Sequence, residues 1–330
     1  MQPDRAERRL LWGRSLWTWV RLLVGAAILG FLVSRLGTQA FLQGLRRIDA
    51  WSLAAAAAIA VPTTVCCAWR WRLVSRGLGS DVPMGAAVAA YYRSQFLNTV
   101  LPGGVLGDVN RAVRHGRDVG DVGHGLRAVA WERTAGQVVQ LAVTIVILLL
   151  LPSPVQAAMP VVAASVVTAL VLILLLGRTR PRQSPAQLAR IGRRLASDLR
   201  HGLLARRAWP GVALASVLAV AGHTTTFLIA AHTAGLTTPL SRMLPLTLLV
   251  LMAMSVPTNI AGWGPREGVA AWAFAVAGLG AAQGIATTVV YGVMAIVATL
   301  PGAVLMLVGA LRPRSVRAEA AVARRTRTLG

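Results

Sequence analysis

Three acidic residues of this chain lie in or beside long apolar segments: Asp108, Glu132 and Glu267. Each has an arginine close by, at Arg111, Arg133 and Arg266. An ionisable group at membrane depth costs roughly 2.5–3.5 kcal/mol on insertion scales, so such groups mark paths for substrates or ions. Guanidinium groups can take a phosphate bidentately, and the carboxylates can orient those guanidiniums or meet a cationic headgroup. The chemistry read from this set is a polar, partly charged cavity that holds a lipid headgroup while the acyl chains stay in the bilayer. Internal salt bridges that lock helix ends are the alternative for any one residue. The set as a whole favours a site, because it recurs at two corresponding places. The other acids are assigned to termini or loops (Asp4, Glu7, Asp118, Asp121, Asp198, Glu319) or to helix starts (Asp49, Asp81).

The two places are breaks in apolar sequence. From Asn98 the chain reads N-T-V-L-P-G-G-V-L-G-D-V-N-R, with Pro102, Gly103 and Gly107 as the interruption. From Ser255 it reads S-V-P-T-N-I-A-G-W-G-P-R-E-G, interrupted at Pro257, Gly262 and Gly264. A break frees backbone groups that lipid cannot satisfy, so it survives only inside protein or against a wet cavity. Interrupted segments in corresponding positions of two halves point to a transporter site at a repeat interface. The candidate headgroup residues are Asn98, Asp108, Arg111, Glu132, Arg133, Arg266 and Glu267.

Composition sets the frame that must position them. The chain has 330 residues, 55% hydrophobic, with a net charge of +23 and a mean hydropathy of +0.62. That composition predicts an all-α polytopic membrane protein with about six full spans and two re-entrant hairpins. The arginines fall between apolar runs, as the positive-inside rule expects, so the charge does not signal nucleic-acid binding. Spans are expected at about 15–34, 51–69, 128–151, 160–176, 209–234 and 286–310. One hairpin (84–101 and the stretch after it) dips in from the cytoplasm, with a pair of ordinary spans as the alternative. The other (239–254 with 264–280) enters from outside. Span, hairpin and span thus occur twice, at about 51–151 and 209–310, with opposite orientation. The basic segments 1–14 and 312–330 place both termini in the cytoplasm.

Two connectors carry their own expectations. Segment 35–50 has helical apolar spacing that suits a helix lying on the membrane, and the count puts it outside. Its Arg35, Arg46 and Arg47 run against the positive-inside rule there. Segment 177–208 sets Leu188, Ile191, Leu195, Leu199 and Leu203 opposite Arg190, Arg193, Arg194 and Arg200. It is either a basic surface helix for anionic headgroups or a loop that only satisfies the charge rule.

The remaining polar features are read conservatively. His223 with Thr224, Thr225 and Thr226 is taken as threonines bonding their own helix and a histidine meeting a neighbour, with cavity lining as the alternative. His115, Asp118, Asp121 and His124 have a spacing that suggests a metal, but loop polarity explains them and no metal is expected. Cys66 and Cys67 read as small packing residues. No P-loop, nucleophile elbow, HExxH or dinucleotide fingerprint occurs, so neither an ATP-driven pump nor an enzyme is expected, and no cofactor.

At Asn98, Leu101, Pro102, Gly107, Asp108 and Arg111, then Glu132 and Arg133, then Pro257, Gly262, Gly264, Arg266, Glu267 and Gly268, the sequence resembles the lysylphosphatidylglycerol synthase transmembrane region, or flippase-like domain. The resemblance runs from about Leu16 to Leu311. It implies a bacterial plasma-membrane protein that moves a lipid between leaflets. The aminoacyl-tRNA-dependent domain that follows this region in two-part members is not expected here, nor is lysylphosphatidylglycerol synthesis. The expected partners are membrane lipids, anionic ones first; a scaffold for a separately encoded lipid-modifying enzyme, docked at the basic segment 177–208, is an alternative reading. A membrane transferase acting on a lipid-linked donor is the enzymatic alternative.

Overall fold

The computed structural model describes residues 39–101, 104–166, 168, 197–198, 208–255 and 265–311. In chain order the helices are α1 (Gln39–Arg46), α2 (Ala50–Gly77), α3 (Met84–Val100), α4 (Leu106–Asp118), α5 (Val122–Leu150), α6 (Trp209–Thr233), α7 (Leu240–Ala253), α8 (Pro265–Val276) and α9 (Ala281–Leu311). A short apolar helix also runs from Gln156 to Val166. Crossing a bilayer takes about 20 helical residues. Helices α2, α5, α6 and α9 have 28, 29, 25 and 31 residues and the apolar composition to match. The chain is a multi-pass, all-α membrane protein.

The expected spans 15–34 and most of 160–176 lie outside the described residues, as do the two terminal segments, nearly all of 177–208, and the break residues Pro102, Gly103, Pro257, Gly262 and Gly264. On either side of the breaks the expected shape is present. The short helices α3 and α4 pack against each other, and so do α7 and α8.

Several boundaries differ from expectation for local reasons. Helix α5 starts at Val122, well before residue 128, because Asp121 caps it and accepts the His124 amide at 3.0 Å. Asp49 caps α2 as expected, accepting the Ser52 amide at 2.6 Å. Asp81 starts no helix. It pairs with Arg76 at 2.8 Å and Arg72 at 3.2 Å, and these hydrogen bonds hold its carboxyl down to about 2. Helix α2 runs on to Gly77, which takes Arg70 out of the basic loop where sequence placed it. Helix α9 begins at Ala281.

The connector 35–50 is not simply laid on lipid. Gly44 of α1 presses against α9, where a Cβ would stand 2.8 Å from the Ala286 carbonyl oxygen. Arg47 donates to the carbonyl of Ala234 at the end of α6, and Gln283 of α9 donates to the same oxygen at 2.7 Å. That gives Arg47 a helix-terminus role and explains a cation that charge rules alone do not.

Helix packing follows a pattern of exchange. Helix α2 packs on α6. Helix α3 packs on α9 as α7 packs on α5, and α4 on α5 as α8 on α9. The pairs α2·α3, α2·α5 and α2·α9 have counterparts in α6·α7, α6·α9 and α6·α5. Swapping 2 with 6, 3 with 7, 4 with 8 and 5 with 9 maps this set of pairs onto itself.

The loop between α2 and α3 is tied to the first hairpin. Ser80 Oγ stands 3.1 Å from His115 Nε2 and 2.8 Å from His124 Nε2. The His115 ring also meets Trp71 edge-on, with centroids 5.3 Å apart. The residues that suggested a metal are therefore a capping Asp121, two histidines sharing a serine hydroxyl, and Asp118 closing α4. Burial, then neighbouring His124, pushes the His115 imidazole below its ordinary value.

Candidate functional site

The charged core is built around Glu132, whose side chain is 0% exposed. Arg70 of α2 donates to Glu132 Oε1 through Nε at 2.9 Å and Nη2 at 2.5 Å. Tyr91 of α3 adds its hydroxyl to the same oxygen at 3.0 Å. Arg111 of α4 donates to Glu132 Oε2 at 2.9 Å and to Asp108 Oδ1 at 3.0 Å. Arg133 reaches Asp108 Oδ2 at 2.7 Å. Ser94 and Asn98 of α3 donate to Asp108 at 2.9 and 3.0 Å. Three guanidiniums thus face two carboxylates and leave the cluster one positive charge in excess.

Packing fixes each partner. The Arg111 guanidinium lies over both Trp71 and Tyr91, 4.7 and 4.3 Å from the ring centroids, a cation–π arrangement suited to a desolvated arginine. Gly136, one turn beyond Glu132 on α5, makes room for Arg70, since a Cβ there would stand 2.7 Å from Arg70 Nη1. Asn98 spans the break. Its Oδ1 accepts the Gly107 amide at 2.8 Å while its Nδ2 serves Asp108. Gly107 lies against the Ser94 carbonyl with no space for a side chain.

The second hairpin carries a smaller version. Arg266 donates through Nε to Glu267 Oε1 at 2.8 Å and pairs through Nη2 at 2.6 Å. Its guanidinium lies 5.7 Å from the Tyr291 ring centroid. Asp108 is the third residue of α4 and Glu267 the third of α8. An acid in the first turn interacts favourably with the helix dipole, so the register of the two hairpins matches.

A cavity of about 310 Å³ opens between the halves. The expected site residues divide about it. Asn98, Arg133 and Arg266 line it, and so does Arg70. Asp108, Arg111, Glu132 and Glu267 do not line it and stand behind as buried partners. Its wall is therefore cationic, with the acids orienting the arginines. Helix α5 continues the polar face with Gln137 and Gln140, one and two turns above Arg133. Neither side-chain amide meets a partner among the described residues.

Sequence reasoning missed Arg70, Tyr91 and Ser94. Arg70 lies one residue past the expected end of the 51–69 span; the lack of any glycine or proline between Pro62 and Gly77 was the signal that the helix runs on. His223 lines the cavity, which reverses its expected role as a residue satisfied by a neighbour. Thr225 and Thr226 do bond their own helix, at the carbonyls of Ala221 and Gly222.

The family model described as lysylphosphatidylglycerol synthase TM region matches residues 18–302 of the chain. No curated protein and no solved structure matches it.

Proposed function

The chain belongs to the lysylphosphatidylglycerol synthase transmembrane-region family, a membrane protein of lipid metabolism, and from that premise we propose that it moves a phospholipid or other anionic lipid between leaflets. The observation that carries this reading is the cavity shared by both halves, with Arg70, Arg133 and Arg266 on its wall and every nearby acid turned away from it. Guanidiniums held by buried carboxylates are pre-oriented for a phosphate. The cation excess of the cluster gives a headgroup anion its counter-charge. Acyl chains would remain in the bilayer while the headgroup crosses between the hairpins.

The exchange pattern of helix packing supports a two-fold repeat; with the halves inverted, as the span count expects, such a repeat is the usual basis of alternating access. On this reading the protein sits in a bacterial plasma membrane with both termini in the cytoplasm. It acts as a transporter with no bond-making chemistry of its own.

The test is lipid translocation in proteoliposomes of purified protein. A headgroup-labelled anionic phospholipid is followed with a membrane-impermeant quencher. Wild type is expected to exchange the label faster than empty liposomes. Arg133→Gln and the pair Arg266→Ala/Glu267→Ala are expected to lose most of that rate while eluting as folded protein. Equal rates in wild type, variants and empty liposomes would refute transport of that lipid.

A further inference from the structure

We propose that His223 couples headgroup binding to protonation, so that the cavity takes up a proton together with each anionic headgroup it admits. This rests on the lipid-transport reading and adds the group that links it to pH.

Among the described residues, the ionisable side chains that line the cavity are Arg70 and Cys67 from α2, Tyr91 from α3, Arg133 from α5, Arg266 from α8 and Tyr291 from α9, together with His223 on α6. Arginine stays charged at any accessible pH, while tyrosine and cysteine give up protons only at alkaline values. Asp108, Glu132 and Glu267 do not reach the wall. Glu132, the acid that would otherwise serve as a proton carrier, is fully enclosed by Arg70, Arg111 and Tyr91. Histidine is the side chain whose charge changes near neutrality, and His223 is the one that faces this space. Its ring meets no hydrogen-bond partner among the described residues.

Its surroundings supply the coupling. Arg70 and Arg133 share the cavity wall with His223, and among the described residues no carboxylate lines that wall. An imidazolium formed in the empty cavity would add to like charge. An anion held between Arg133 and Arg266 supplies the missing negative charge, so anion binding and protonation of His223 each favour the other. The proton comes from water on the side from which the headgroup enters and lands on a ring nitrogen of His223. It returns to water when the headgroup leaves, and no bond of the lipid is broken. The sign follows directly: the bound state holds more protons than the empty one, so binding tightens as pH falls.

The experiment titrates short-chain phosphatidylglycerol into the full-length protein in detergent, by calorimetry, at several values between pH 5.5 and 8. Each titration is repeated in two buffers of different ionisation enthalpy. A phosphodiester keeps its charge over this range, so the ligand adds no protonation of its own. Wild type should take up a fraction of a proton on binding, read from the buffer dependence. Its affinity should rise by up to about tenfold per pH unit as the pH is lowered. In His223→Gln the proton uptake should vanish and affinity should become flat with pH, at the weak wild-type value of pH 8. His232→Gln, on the same helix and likewise exposed but off the cavity, should behave as wild type and so controls for folding. Binding by wild type with no buffer dependence, or proton uptake that persists in His223→Gln, overturns the proposal while leaving lipid binding intact. Absence of binding by wild type at every pH removes the headgroup reading and this proposal with it.

Discussion

Burial decides what each arginine of the charged cluster is worth. Arg111 is 1% exposed at its side chain and serves both Asp108 and Glu132. Removing one partner of a buried pair strands the other, at a cost of about 3–5 kcal/mol. Arg111→Gln is therefore expected to lower the thermal unfolding temperature in detergent by many degrees, and Glu132→Ala to do the same. Arg133 is 39% exposed at its side chain, and water can replace part of what it loses. Arg133→Gln should cost about 1 kcal/mol or less in the same melt, while transport falls. Equal destabilisation by Arg111→Gln and Arg133→Gln would contradict this division between supporting and lining residues. The division itself was hidden in the sequence. Proximity to arginine identified Asp108, Glu132 and Glu267, but a string of residues does not say which side of a guanidinium faces a cavity. Arg70 is 62 positions from Glu132, so their pairing arises only from the packing of α2 on α5.

At the scale of elements, the first hairpin is held by its glycine contact and by the serine–histidine junction at its base. Gly107→Ala would push a methyl group into the Ser94 carbonyl. Such overpacking costs about 1–3 kcal/mol, expected as a lowered melt and as faster proteolysis between α3 and α4. The junction of Ser80, His115 and His124 should respond to acid. The His115 pKa lies below its unfolded value of about 6.5, so the unfolded chain takes up the proton first. Stability from this group is complete above that value and is lost as pH falls through the lower folded value. Melts recorded from pH 7 to 5 should therefore decline in wild type and decline less in His115→Gln. Apolar length and charge placement made the four long helices and the shorter apolar helices beside the two breaks legible in advance. Helix ends were not, because they depend on particular caps. Asp121 and Asp81 look alike in sequence, yet Asp121 faces a free helix amide and Asp81 faces two arginines.

For the whole molecule, the exchange of packing partners between halves has a consequence for sidedness. If the halves are inverted, the α2–α3 connection and the α6–α7 connection face opposite sides of the membrane. With Cys66 and Cys67 replaced by serine, Asp81→Cys and Thr237→Cys should react with an impermeant maleimide from opposite faces of sealed vesicles. Reaction of both from the same face would end the inverted-repeat reading. The exchange is also incomplete in its chemistry. Among the described residues, one half joins five charged side chains in a single, mostly buried network, whereas the ion pair at the matching place in the other is Arg266 with Glu267. In a perfect duplicate the two access states would be images of each other and equally populated. If the protein alternates as proposed, a change that loosens this network in one state has no equal in the other, and the empty protein would then rest on a preferred side. Each 1.4 kcal/mol of imbalance, roughly, moves the ratio of the two states tenfold. On the transport reading, the Arg70–Glu132 pair would then act as a thermodynamic bias on the direction in which the cavity waits.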